Sequence, residues 1–134
     1  MSLSGPHRWP IRVYYEDTDL AGIVYYANYL KFIERARSEM VRVAGIDQTV
    51  MKAEGQVFAV ARLEADYRAP AKFDDELIVE TSVVKTTPAR CTMKQIVTRQ
   101  EALIFEAKVV LVCLGPDGRP TRLPPEITKL ATAR

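Results

Sequence analysis

Ile11, Val13 and Tyr15 alternate with Arg12, Tyr14 and Glu16, the period-two pattern of a half-buried strand. The polar residues 16–19 end it. From Leu30 the period changes: Phe32, Ile33, Ala36, Met40, Val41 and Ala44 recur at helical spacing, with Glu34, Arg35, Arg37, Ser38, Glu39 and Arg42 between them. Gly45 is a C-terminal stop, and Asp47 is placed to cap a short second helix through Ala53 that Gly55 closes. Four strand-like runs rich in β-branched residues follow, over residues 57–69, 76–86, 91–99 and 103–114, with breaks marked by Pro70, Pro88 and Gly115-Pro116.

No ten-residue helical pattern separates these runs, so an antiparallel meander is expected rather than parallel βαβ winding. The fold class is α+β: one helix of about 16 residues, ~24 Å long, lying across a five-stranded antiparallel sheet. In the last run Val109, Leu111 and Cys113 point one way and Val110, Val112 and Leu114 the other, so both faces are apolar. A single helix covers only one face, and a second copy of the chain is the expected cover of the other, which predicts a homo-oligomer, dimer or tetramer. Residues 1–9 read as an N-terminal tail, residues 10–134 as one domain, and residues 116–125 as an extended connection to a short tail.

With 134 residues, two domains are not expected, and 48% hydrophobic against 27% charged residues falls in the globular range. A formal charge of +2 gives no electrostatic footprint for nucleic acid. The longest apolar run, 109–114, is far short of the ~18 residues of a transmembrane helix, and residues 1–10 carry no apolar signal-peptide core, so a cytoplasmic location is expected. Cys91 and Cys113 belong to no CxxC pair and fall in apolar strand segments, which predicts buried free thiols.

Histidine occurs once, at His7 in the expected tail, which excludes a His-rich zinc site. There is no GxSxG elbow, GxxxxGK[ST] loop or GxGxxG loop. The chemistry must therefore rest on carboxylates. Glu16, Asp17 and Asp19 put three of them into four positions between a strand and the helical segment. Composition alone reads them as a solvated turn near a helix N terminus, where acids interact well with the dipole.

Their context changes that reading. Residues 14–29, YYEDTDLAGIVYYANY, resemble the signature of the hotdog-fold acyl-CoA thioesterases of the 4-hydroxybenzoyl-CoA thioesterase family. Arg8-Trp9-Pro10, Arg35-Ala36-Arg37 with Glu39-Met40, and residues 67–75 resemble its Tol-Pal-associated branch more closely. The resemblance implies a hotdog fold, in which the sheet wraps around the long helix, and hydrolysis of acyl-CoA thioesters without metal or cofactor. It implies Asp19 as the catalytic carboxylate, attacking the carbonyl or activating water, and Asp17 as a supporting acid. Gly22 would allow close backbone approach to the substrate. The backbone N–H near Tyr26, at the start of the long helix, would polarise the carbonyl.

That branch commonly has His where this chain has Tyr26, so the Tyr26 side chain is expected to pack while its N–H works. Tyr25 and Asn28 are assigned to substrate contact. Lys85, Arg90 and Lys94, around the 86–89 turn, are assigned to the coenzyme A phosphates. The acyl group and the carrier, coenzyme A or acyl carrier protein, stay open. Two rival functions are an acyl-thioester or envelope-complex binding module and an acyl-thioester hydratase or dehydratase. The second needs a histidine and an acid.

Overall fold

A computed structural model describes residues 5–132. Six strands form one antiparallel sheet: β1 (His7–Arg12), β2 (Val57–Tyr67), β3 (Glu76–Thr86), β4 (Cys91–Arg99), β5 (Ala102–Leu114) and the two-residue β6 (Pro120–Thr121). Their order is β1-β3-β4-β5-β2, with β6 paired to the end of β5. The helices are α1 (Asn28–Val43), α2 (Gln48–Ala53) and α3 (Pro125–Thr132). Among the described residues no helix is long and apolar enough to cross a membrane.

The helical spacing read in the sequence is the face that α1 buries: Tyr29, Phe32, Ile33, Ala36, Met40 and Val41 all lie against the sheet. At roughly 1.5–3 kcal/mol for each large apolar side chain removed from water, this stripe is the main force seating the helix. Its first half packs with Ile11, Val13, Leu77, Val79, Val97 and Phe105. Its second half joins Val83, Met93, Leu111 and Cys113. Gln95 is fully buried within β4 and has its polar atoms satisfied. Its Oε1 accepts from Arg37 of α1, and its Nε2 donates to the Ile33 carbonyl and the Thr81 hydroxyl, each at 2.9 Å. This bonding ties helix to sheet where an unpaired amide would cost about 1–3 kcal/mol. Asp47 caps α2 as expected, accepting from the Thr49 and Val50 N–H groups. Cys91 and Cys113 are buried and free, and burial pushes the Cys91 thiol up to about 12.

Three expectations need correction. The first strand begins at His7, so residues 7–9 are not tail: they pair with Thr81, Glu80 and Val79 of β3, and Pro10 is tolerated because β1 is an edge strand. Residues 1–4 of the expected tail lie outside the described residues. Residues 125–132, read as a tail, form α3, which starts on a proline and sends Ile127 and Leu130 into the second core cluster with Leu123. The sheet has a sixth strand, too short to leave a periodic signal.

The two-faced β5 is as read: Val109, Leu111 and Cys113 belong to the core clusters on the helix side, and Val110 belongs to neither. Val110 is nonetheless only 6% exposed, whereas Val112 and Leu114 beside it are half-buried. In-plane neighbours such as Arg62 and Thr92, its register partners, flank Val110 on that face.

Candidate active site

The candidate acids sit where the sheet ends. Val13 continues β1 into the turn before β3, its N–H donating to Asp75 C=O and its C=O accepting from Asp74 N–H. The chain then makes one 3-10 turn over Tyr15–Asp17. Asp17 is buried, and its Oδ2 accepts the Tyr14 N–H at 2.8 Å, so this carboxylate closes the turn it belongs to. Its C=O accepts both the Tyr25 N–H and the Asn28 side-chain amide at 2.9 Å, binding the acid turn to the first residue of α1.

Asp19 is exposed on the next loop. Thr18 bridges to Val24, Asp19 N–H donates to Ile23 C=O, and Gly22 N–H donates to Asp19 C=O, which makes residues 18–24 a tight reversal. The reversal is held to the body through Val24 N–H on Ala71 C=O and a bridge between Ile23 and Lys72. One Asp19 oxygen accepts the Ala21 N–H at 3.0 Å. Gly22 has φ +81°, which is the reason for glycine here, since a Cβ built on it meets nothing within 4 Å.

The loop delivers the chain to an uncapped helix. Ala27 is the N-cap of α1 and offers no side-chain acceptor, where Ser, Thr, Asp or Asn would add about 1 kcal/mol. Neither the Tyr26 nor the Ala27 N–H finds an acceptor among the described residues, so free donors and the positive end of the helix dipole face outward. Beside them lies a groove of about 310 Å³ lined by Ile23, Val24, Tyr26, Tyr29, Tyr67 and Ala69 among others. The Tyr25 hydroxyl is pushed above its ordinary value, first by hydrogen bonding to the Tyr26 side chain and least by the negative charge of Asp19.

The structure thus gathers Asp17, Asp19, Gly22, Tyr25, Tyr26 and Asn28 at one end of the sheet. Asn28, expected in substrate contact, uses its amide to lock the acid turn. Lys85, Arg90 and Lys94 are exposed but lie around the β3–β4 turn. At ~3.3 Å per residue the length of β3 puts that turn on the order of 30 Å from Asp19 in the same chain. His7 stacks on Trp9 in β1, opposite Thr81, roughly 15–20 Å along the strand from the acid turn. Tyr67 was missed: its hydroxyl donates to the Tyr26 C=O at 2.8 Å, and its only sequence signal is its place at the start of segment 67–75.

Comparison with known proteins identifies the family. Residues 13–130 match the thioesterase-like superfamily. The acyl-CoA thioester hydrolase YbgC of Escherichia coli O6:H1 is 42% identical over 122 residues, 90% of this chain and 91% of that protein. The acyl-CoA thioesterase YbgC of Haemophilus influenzae is 40% identical over 121 residues, 89% of each. The crystal structure of a probable thioesterase from Bartonella henselae, 36% identical, superposes with a TM-score of 0.85 over 89% of this chain and 99% of that one. With the hotdog-fold sheet around α1 shared with that structure, the chain is a member of the thioesterase-like superfamily.

Proposed function

We propose that this chain hydrolyses acyl-CoA thioesters with Asp19 as the working carboxylate and the N terminus of α1 as the oxyanion site. Thioester hydrolysis itself follows from membership of the family and from the relatives above. The observation that carries the site is the uncapped start of α1 beside an exposed carboxylate: free N–H donors at one end of the reaction and a base at the other. With a thioester carbonyl between them, Asp19 adds to the carbon or takes a proton from a water that does so. The carbonyl oxygen gains charge against the Tyr26 and Ala27 N–H groups, and collapse expels the coenzyme A thiolate; on the nucleophilic route water then cleaves the acyl–Asp19 anhydride, releasing the acid and restoring the carboxylate. Asp17 holds the turn and supplies no proton.

A second copy of the chain completes the reading. β2 is an eleven-residue edge with no Pro or Gly, and the groove beside Tyr26 is formed partly by the residues that follow it. Antiparallel pairing of two β2 edges brings the Val57 end of one sheet beside the Tyr67 end of the other. The second copy's Arg90 and Lys94 then stand about three strand spacings and its Lys85 about four, ~15–20 Å, from the β2 end that borders the site, within reach of coenzyme A phosphates. A cytoplasmic location fits the two unpaired buried thiols.

The test is Asp19→Asn assayed against a panel of acyl groups on coenzyme A and on acyl carrier protein. The amide keeps the shape and loses the basicity, so turnover should fall at least ~10²-fold in a variant that assembles normally. Near-native turnover would remove Asp19 from the mechanism. The panel separates the two carriers.

A further inference from the structure

The two free donors at the start of α1 belong to two peptide groups, each held from behind by a different anchor. Tyr25 C=O accepts the Asn28 N–H at 2.8 Å, fixing the plane that carries the Tyr26 N–H. Tyr26 C=O accepts the Tyr67 hydroxyl at 2.8 Å, fixing the plane that carries the Ala27 N–H. In a trans peptide the C=O and the following N–H point in opposite directions, so Tyr67 grips the Tyr26–Ala27 peptide from the side away from its donor. Hydrogen bonding to the carbonyl also draws density out of the amide and strengthens the N–H as a donor.

The first anchor is local and any helical turn makes it. The second reaches across 41 residues, from the last residue of β2. The Tyr67 ring is set by edge-on contacts with Tyr26, Tyr29 and Phe105, at centroid distances of 6.3, 5.6 and 5.0 Å. Phe105 is fully buried, and Tyr29 is pinned by the Ala71 N–H on its hydroxyl. Packing therefore holds the ring whether or not the hydroxyl is present. Tyr67 is 48% exposed, so its hydroxyl has no need of a protein partner, because water would satisfy it.

We propose that Tyr67 is a positioning residue of the thioesterase site, its hydroxyl orienting and polarising the Tyr26–Ala27 peptide so that the Ala27 N–H meets the carbonyl oxygen as it gains negative charge. This rests on the reading of the α1 N terminus as the oxyanion site. A better-aimed donor matters most when the oxygen is charged, so the contribution falls on kcat and not on KM. Desolvation, with a smaller effect of Tyr26, holds the Tyr67 hydroxyl above its ordinary value, so it stays protonated and donating at neutral pH.

Steady-state hydrolysis of an acyl-CoA by Tyr67→Phe tests this. Removing an oxyanion donor outright costs about 10²–10³-fold in kcat, and loosening one should cost on the order of tenfold, with KM held within about twofold. Replacing Tyr67 with 3-fluorotyrosine keeps the donor and should restore kcat. It also lowers the phenol's pKa, and since a phenolate cannot donate, the high-pH fall in kcat should move to lower pH than in the native protein. A purely structural tyrosine would not move that limb, and the nearly isosteric fluorine gives the answer even where the Phe variant fails to assemble. Native kcat in Tyr67→Phe, a loss carried by KM, or an alkaline limb indifferent to fluorine each overturns the proposal. Asp19→Asn distinguishes the failures: if it retains turnover the whole site is misread, and if it is inactive while Tyr67 variants behave as native, only the role of Tyr67 falls.

Discussion

Asp17 and Asp19 are two residues apart and of one chemical type, yet their surroundings give them opposite tasks. The Asp17 carboxylate is buried against the Tyr14 N–H and has no open face, whereas Asp19 is exposed and holds one backbone N–H in its own loop. Asp17→Ala should therefore reduce stability by about 1–3 kcal/mol, the cost of stranding a partly buried donor, read from the midpoint of chemical denaturation at unchanged slope. Its effect on turnover should follow the folded fraction. His7 shows the same dependence on surroundings. Burial lowers its pKa below the ordinary 6.5, partly opposed by Glu39, and its Nδ1 is buried without a partner. The folded chain thus binds fewer protons there than the unfolded one. Its contribution is intact above pH 6.5 and declines as the pH falls through that value toward the folded pKa. His7→Phe, which keeps a ring against Trp9, should lose less thermal stability than the native chain between about pH 7.5 and 5 and should retain turnover. Composition alone left the acids as a solvated turn, and the family resemblance assigned Asp19 the catalytic and Asp17 the supporting role; the means of that support, the Tyr14 N–H that claims Asp17, was not legible because it is set by the turn and not by residue type.

Elements were legible in proportion to their periodicity. The α1 stripe and the strands at 76–86 and 91–99 repeat their pattern over many residues, and the structure has β3 and β4 at those bounds. The start of β1 was hidden because Pro10 reads as a break, and α3 because Pro125, Ile127 and Leu130 are too few to outweigh the prolines before them. Tyr67 escaped for another reason: its role depends on β2 ending beside α1, a long-range pairing that no local pattern encodes. Turns are legible only by composition, and the β4–β5 turn breaks the rule. Gln100 and Glu101 both have positive φ, at 50° and 70°, in a two-residue hairpin that favours Asn-Gly. The double change Gln100→Asn with Glu101→Gly should stabilise the fold by about 1 kcal/mol, since a side chain in the left-handed region costs ~1–2 kcal/mol against the entropy that glycine adds to the unfolded chain. The expected readout is a higher denaturation midpoint with turnover unchanged, because among the described residues neither side chain bonds to the acid loop or to α1. A lower midpoint would mean that the present side chains hold the turn by contacts stronger than the strain.

The two ends of the sheet are built for different neighbours. β1 is short, carries Pro10, and lines its outer face with ion pairs from Arg8 to Glu80 and from Arg12 to Asp74 and Glu76, all of which discourage another strand. β2 is eleven residues long, and its apolar Val57 and Val60 are exposed, Val60 by 45% although it points toward the helix side. An edge of that length and character is unstable against self-association unless something is meant to pair with it. The aromatic residues at its far end add to the case: Tyr26 is 62% exposed beside a groove where a charged intermediate needs water kept out. A second copy docked on β2 covers both defects at once, whereas one docked on the Val110 face would leave the groove open. Light scattering after gel filtration at micromolar concentration should therefore find an oligomer. Val60→Lys, which puts a charge on the edge, should shift it toward monomer and lose turnover in proportion, while Val112→Lys, on the outer face, should keep the β2 pairing and most activity. If Val112→Lys dissociates the oligomer and Val60→Lys does not, the second copy sits on the open face of the sheet. The phosphate contacts assigned to Lys85, Arg90 and Lys94 would then lose the geometry that brings them to the site.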